Sequence, residues 1–280
     1  MQNELNTDFS ISSLLSKNHP LIVGVLNCTP DSFSDGGEVK STQEAINKGL
    51  SLIEDGANCI DIGGVSTGPG SQPISEEEEL ARILKAVKAL ASHTIVSVDT
   101  YRASVAKECL KVGAKIINDV SALRADPGMA KVIHDFGCPA ILMYSKETGA
   151  HPHVTTNQIE YSDCTLHIIE FLKERVDFAL SQGITSSQII IDPGMGQFVS
   201  SDAKYSWEIL KRLSEIEEAL PEFPLLVGTS RKGFLGGDIS ERDPASSLTS
   251  LIAYSNGAKI LRTHNVKMLV EFLKIKLLLR

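Results

Sequence analysis

Apolar runs that end abruptly in a polar residue, each followed by an amphipathic stretch, recur from one end of this chain to the other. The first, Leu21 to Asn27, has almost no polar side chain before its final amide and reads as a strand buried on both faces. The turn-rich segment from Cys28 to Gly37 cannot continue it. Thr42 to Glu54 then carries Ala45, Ile46, Leu50 and Ile53 at helical spacing, and Gly56 stops it. Strand Cys59 to Ile62 runs into Gly63-Gly64, and the next helix, to about Leu90, opens on the capping-box pattern of Ser75 and Glu78. Strand Ile95 to Val98 ends in Asp99-Thr100 and leads to a helix from Arg102 to Lys111. Strand Lys115 to Ile117 ends in Asn118-Asp119, and Asp126-Pro127 opens a helix through Ile133. Strand Ala140 to Met143 precedes a polar loop and a long helix from about Ile159 to Gln182. Strand Gln188 to Ile191 ends in Asp192-Pro193-Gly194, before a helix from about Ala203 to Leu220. Strand Pro224 to Gly228 ends in Thr229-Ser230-Arg231-Lys232-Gly233, before a helix that begins near Pro244 and contains Leu248, Leu251 and Ile252. Strand Ala258 to Leu261 ends in Arg262-Thr263-His264, and a last helix follows.

Eight strand–helix units, each with the crossover that parallel neighbours need, predict an α/β fold of the TIM (β/α)8 barrel type. A doubly wound sheet also holds such units, but rarely eight with polar residues at nearly every C-terminal strand end. Residues 1–280 read as a single domain, with 1–20 as an N-terminal extension that packs over one end.

Closure of the barrel would bring Asn27, Thr67, Asp99, Asn118, Met143, Asp192, Lys232, Arg262 and His264 to one rim. Each has a structural alternative: Asp61 caps strand ends, Asn118 bonds a loop backbone, Asp192 starts a turn before Pro193. As a set they divide into two chemistries. Asp99, Asn118 and Asp192 suit the N–H and ring-nitrogen pattern of a flat heterocycle. Lys232, Arg262 and His264 supply cationic or donor groups for a phosphate or diphosphate. Gly228 and Gly233 flank Ser230-Arg231-Lys232 and permit close backbone approach, at the strands where barrels commonly bind phosphate. Asn27 and the first loop suit Mg²⁺ held by oxygen ligands, although no carboxylate pair marks the metal. His151 and His153 have metal-pair spacing without a third ligand nearby, so His151→Ala is expected to change little.

With 27 Lys and Arg against 35 Asp and Glu, the net charge of -8 argues against nucleic acid as a partner while leaving room for a small anion in a locally basic pocket. The five cysteines have no zinc spacing and fit a reducing, cytoplasmic compartment; Cys28 alone is expected near a ligand. No segment reads as a signal peptide or a membrane span. No GxSxG, HExxH, GxGxxG or P-loop motif is present, so covalent hydrolysis, zinc peptidase chemistry and nucleotide folds lack support.

Taken in order, Gly24 to Gly37, Asp61-Ile62-Gly63-Gly64, Val98-Asp99-Thr100, Asn118-Asp119-Val120-Ser121, Asp192-Pro193-Gly194, Ser230-Arg231-Lys232 and Arg262-Thr263-His264 form a series, and from Leu21 to its C-terminus the chain resembles the dihydropteroate synthase family. The resemblance implies a homodimeric TIM barrel that condenses 6-hydroxymethyl-7,8-dihydropterin diphosphate with 4-aminobenzoate. The products are 7,8-dihydropteroate and diphosphate, a step of folate biosynthesis that uses Mg²⁺ and is a sulfonamide target. By the same resemblance Asp99, Asn118, Asp192 and Lys232 hold the pterin. Asn27, Thr67, Arg262 and His264 serve the diphosphate and metal region, Asn27 as the metal ligand. Met143, Gly228 and Ser230 complete the expected substrate-binding set, and the catalytic roles fall to Asp99, Lys232, Arg262 and His264.

The chain departs from the family pattern where Val65 and Gly68 stand for a usual Glu and Arg. It departs again after Asp192-Pro193-Gly194, where Gln197 and Val199 interrupt the usual Gly/Phe/Lys run, and at Tyr144-Ser145-Lys146 after Met143. These changes predict retained pterin binding with altered second-substrate recognition or lowered sulfonamide sensitivity. Two alternatives share the pterin site: a methyltetrahydrofolate-dependent methyltransferase, and a non-catalytic folate-pathway subunit.

Overall fold

The computed structural model describes residues 11, 15, 19–29, 42–66, 71, 73–147 and 158–278. Eight parallel strands make one sheet: β1 (Leu21–Asn27), β2 (Cys59–Gly63), β3 (Ile95–Asp99), β4 (Ile116–Asp119), β5 (Ala140–Met143), β6 (Ile189–Asp192), β7 (Leu226–Val227) and β8 (Ile260–Thr263). Neighbours in the chain are neighbours in the sheet from β1 to β6, β8 lies between β1 and β7, and β6 meets β7 at the Ile191–Leu225 bridge. There the Ile191 N–H donates to the Pro224 carbonyl at 3.0 Å, which closes the barrel. β7 is shorter than its apolar run predicts, since Pro224 at its start has no N–H to give to a ladder.

The helices around the barrel are α1 (Thr42–Glu54), α2 (Glu76–Leu90), α3 (Ala103–Lys111), α4 (Met129–Phe136), α5 (Cys164–Ser181), α6 (Ala203–Lys211), α7 (Leu213–Ala219), α8 (Asp243–Ser255) and α9 (Val266–Leu278). Ser75 caps α2 as expected, its hydroxyl accepting the Glu78 N–H at 3.2 Å. Three expected boundaries move. Asp126-Pro127 does not open α4; instead the Asp126 carboxylate accepts the N–H groups of Ala103 and Gly128, both at 2.8 Å, and helix begins at Met129. α5 begins only at Cys164, where Asp163 accepts the Leu166 N–H. The single helix expected to Leu220 is broken at Arg212, which separates α6 from α7 and pairs with Asp163, Glu208 and Glu215.

Strand side chains alternate between two cores. Ile22, Leu26, Ile60, Ile62, Val96, Val98, Ile117, Leu142, Ile191, Val227 and Leu261 face outward and pack under the helices. Leu21, Val23, Cys59, Ile116, Ile141, Ile190, Leu226 and Ile260 form a separate apolar cluster, the plug inside the barrel. Two residues further along the same face of each strand come Val25, Asp61, Ser97, Asn118, Met143, Asp192, Gly228 and Arg262. The period of a strand therefore lifts a polar layer directly above the apolar one.

One side-chain placement differs from expectation. Cys28 does not reach the mouth but packs in the outer core, where burial pushes its thiol up to about 11. α8 turns its small polar face inward: Ser246, Ser247, Thr249 and Ser250 are buried, with Thr249 Oγ1 donating to Thr229 Oγ1 at 2.9 Å, while Leu248 and Ile252 point to solvent.

Candidate active site

The polar layer and the loops above it enclose a cavity of about 630 Å³ at the C-terminal end of the strands. Asn27, Asp99, Asn118, Met143, Asp192, Gly228, Ser230, Lys232, Arg262 and His264 all line it, as expected from sequence. Thr67, Gly68, His151, His153 and the first-loop segment Pro30 to Gly37 lie outside the described residues.

Arg262 is the hub. Its Nε donates to Asp61 Oδ2 at 2.6 Å and its Nη2 to Asp99 Oδ2 at 3.0 Å, so it ties β8 to β2 and β3 across the barrel. Asn118 on β4 donates its amide N–H to the same Asp61 oxygen at 2.9 Å. Burial and the Asp61 charge push Asp99 up to about 7, outweighing the pull of Arg262 and Lys232. On β6, Asp192 accepts the Gly194 N–H at 2.8 Å; burial nevertheless raises it to about 6. The tight turn this bond closes needs glycine: Gly194 has φ 66°, and a Cβ there would stand 2.4 Å from the Tyr144 carbonyl oxygen.

Lys232 reaches in from the loop after β7. Its ammonium lies 4.4 Å from the centre of the Phe198 ring, and burial together with Arg262 brings its pKa down to about 8 against the opposing pull of Asp192 and Asp99. The loop itself is clamped: Arg231, at φ 58°, donates through Nε and Nη2 to the two oxygens of Asp243, and Arg242 Nη1 donates to the Arg231 carbonyl. His264 is not a cation here. Burial, Arg262, Arg231 and Lys232 hold it down to about 3, so it serves as a neutral hydrogen-bonding group. The Ser230 hydroxyl accepts the His264 backbone N–H at 3.1 Å and lies 2.9 Å from Nδ1. We assign its proton to that second bond, which leaves the ring N–H on Nε2.

The strand ends therefore bring together one side of carboxylates and amide, an arginine at the centre, and a side of Lys232, Ser230 and neutral His264. Asp119, which follows Asn118, is structural: it is fully buried and accepts the Ser121 N–H, the Ser121 hydroxyl and the Leu123 N–H, holding a turn in which Ala122 and Leu123 have positive φ. Sequence reading missed Phe198 and Val120, the apolar walls, and treated Asp61 only as a cap. For Asp61 a signal existed: it follows plug residue Cys59 by two, as Arg262 follows Ile260. Of the departures from the family pattern, Val65 and Gln197 line the cavity, whereas Val199 is buried in the outer core and its carbonyl accepts the Tyr161 hydroxyl at 2.7 Å.

Comparison with known proteins agrees with this arrangement. The family described as pterin binding enzyme matches residues 23–264. Dihydropteroate synthase of Synechocystis sp. is 36% identical over 261 residues, covering 91% of this chain and 88% of that protein. Among solved structures, the Yersinia pestis dihydropteroate synthase in a sulfonamide drug complex has a TM-score of 0.87 and 35% identity, covering 95% of each chain. The Xanthomonas albilineans dihydropteroate synthase with 4-aminobenzoic acid has a TM-score of 0.85 and 33% identity, covering 94% of this chain and 93% of the other.

Proposed function

The chain belongs to the dihydropteroate synthase family and is a transferase of that type, and from this premise we propose how its own residues carry the reaction. One observation supports the proposal above all: Asp99, Asn118, Asp192, Lys232 and Arg262 share one cavity although they come from five different strand ends. Asn118, Asp192 and Lys232 grip the dihydropterin ring of 6-hydroxymethyl-7,8-dihydropterin diphosphate. Arg262, His264 and Ser230 face the diphosphate, with His264 as a neutral N–H donor.

As the methylene–oxygen bond breaks, the diphosphate takes the electron pair and the pterin methylene gains positive charge, which the ionised Asp99 carboxylate stabilises. The 4-aminobenzoate nitrogen then forms the new carbon–nitrogen bond and releases a proton, giving 7,8-dihydropteroate. No enzyme nucleophile is needed. Mg²⁺ fits this set in a limited way: Asn27 offers a hard amide oxygen at the cavity wall, and no group of three His, Cys, Asp or Glu able to hold an ion occurs among the described residues. Asn27 would be the residue that holds it, and the ion when bound would neutralise charge on the leaving diphosphate. The test is a product assay with pterin diphosphate, 4-aminobenzoate and Mg²⁺, omitting each in turn. Dihydropteroate should form only in the complete mixture; none from the purified chain would leave a pterin-binding subunit as the better account.

The pH profile of kcat/KM for the pterin diphosphate should be bell-shaped. It rises through about 7 as Asp99 becomes the carboxylate that the cation requires, and falls above about 8 as Lys232 loses its charge. A profile flat from pH 6 to pH 9 would contradict both assignments.

Val65 and Gln197, standing in the cavity wall where relatives of the usual pattern differ, support altered recognition of the second substrate. Relative to a family member with the usual residues, the aminobenzoate KM or the sulfonamide inhibition constant should shift severalfold; equal values of both would remove the proposal. A homodimer is supported by the outward face of α8 and α9, where Leu248, Leu251, Ile252, Phe272 and Ile275 line a shallow apolar depression suited to a second copy of the same surface. Leu248→Asp should convert a dimeric sedimentation coefficient to a monomeric one, and a monomeric wild type would refute it. The five free, buried cysteines support the cytoplasm as its place.

A further inference from the structure

Asp61 lies beneath the site, bonded to two residues that line it, without a part in the chemistry above. Its side chain is fully screened from solvent. One oxygen, Oδ2, accepts from both Asn118 Nδ2 at 2.9 Å and Arg262 Nε at 2.6 Å, while Oδ1 is buried with no hydrogen-bond partner among the described residues. A buried anion with an unpaired oxygen is costly, and the barrel has a cheaper way to fill this face, since one step below it uses Cys59, Ile116 and Ile190. One step above, Gly63 places no side chain over Asp61. A carboxylate kept here at a cost to stability calls for a role beyond packing.

Its two partners, the Asn118 amide and the central Arg262, face different parts of the substrate in the function given above. With the Asn118 amide nitrogen turned to Asp61, the Asn118 carbonyl oxygen is left as the acceptor for a ligand, and a flipped amide would set carbonyl against carboxylate. With Nε on Asp61 and Nη2 on Asp99, the guanidinium plane is fixed, and Nη1 is the Arg262 nitrogen without a hydrogen-bond partner among the described residues. We propose that Asp61 is a positioning residue, one buried anion that orients the Asn118 amide toward the heterocycle and the Arg262 guanidinium toward the diphosphate. The proposal rests on the function given above and deepens it.

The test compares the full-length wild type with Asp61→Asn in steady-state kinetics for both substrates, pH profiles and thermal melts. The carboxamide oxygen can stand where Oδ2 stood and accept from both partners, but without the negative charge that holds the guanidinium, and its NH₂ falls at the Oδ1 position, where no acceptor lies among the described residues. kcat/KM for the pterin diphosphate should fall about a hundredfold, with the aminobenzoate KM within about twofold. The acid limb of the pH profile should move to lower pH, because a negative charge beside Asp99 is gone. If Asp61→Asn does not fold, Asp61→Ser, which removes the anion and admits water, is read in the same way. A folded variant with kcat/KM within threefold of wild type overturns the proposal. So does an unmoved acid limb, or failure of both variants to fold. An inactive wild type instead sinks the functional premise, a result distinct from an active wild type matched by its variants.

Discussion

Lys232→Ala should lower kcat/KM for the pterin diphosphate by about a hundred- to a thousandfold while leaving the barrel folded. The ammonium sits over the Phe198 ring and interacts through its charge with Asp192 and Asp99, so its removal takes away a charge-assisted donor to the pterin ring and also leaves two buried carboxylates with less positive charge nearby. Lys232 lowers both of those carboxyl pKa values through its charge. In the variant Asp99 should therefore ionise at higher pH, and the acid limb of the profile should move up, the opposite direction to Asp61→Asn. Folding should suffer little, because the wild-type site already holds a lysine whose charge is disfavoured by burial. Asp192→Asn should weaken use of the same substrate strongly. Steady-state kinetics at pH 6, 7 and 8 checks these outcomes, and a Lys232→Ala enzyme within threefold of wild type would remove this residue from the chemistry.

Arg262→Ala should damage both activity and folding. It strips the cation from Asp61 and Asp99 at once, and breaking a buried pair by removing one partner costs about 3–5 kcal/mol. Arg262 keeps 21% of its side chain exposed, so the lower end of that range is expected, a fall in Tm of roughly 6–10 °C for a chain of this size. The pH dependence has a definite sign. Asp99 has a folded-state pKa raised above its unfolded value, to about 7 from 3.8, so the stability its protonated form contributes is complete below about 4 and is lost as pH rises through 7. Without Arg262 the carboxylate is harder still to ionise, so the Tm deficit relative to wild type should be larger at pH 8 than at pH 5. Thermal melts across that range decide the matter; a deficit that shrinks toward high pH would mean that Arg262 is not neutralising buried carboxylates. Turnover should fall at least a hundredfold, as the diphosphate loses its guanidinium.

Much of the site was legible because a strand alternates and a barrel closes. Asn118, Asp192 and Arg262 are polar residues that interrupt apolar runs two places after a plug residue, and that spacing alone puts them on the inner face. Asp61 has the same spacing, but it is enclosed between apolar neighbours within its run, and so it read as a cap. Helix ends were less legible. The break at Arg212 depends on carboxylates of three different segments, and the late start of α4 depends on Asp126 turning back to the Ala103 N–H. The Arg212–Asp163 and Ala103–Asp126 bonds join residues 49 and 23 apart in the chain, which local propensity does not register. α8 is the clearest case: Leu248 and Ile252 look like core yet face solvent, while its serine and threonine face lies against the Thr229 loop.

By itself the sequence determined the eight repeating units, the inner and outer faces of each strand, and the chemical types gathered at the mouth, since all of these follow from residue order and a period of two. Only the folded barrel decided which charges touch. Arg262 meets Asp61, 201 residues away, and Asp99, 163 residues away, and the resulting shared burial keeps His264 neutral and lifts Asp99 toward neutrality. Charge–charge energies fall with distance in space and grow as water is excluded, and both quantities are set by closure.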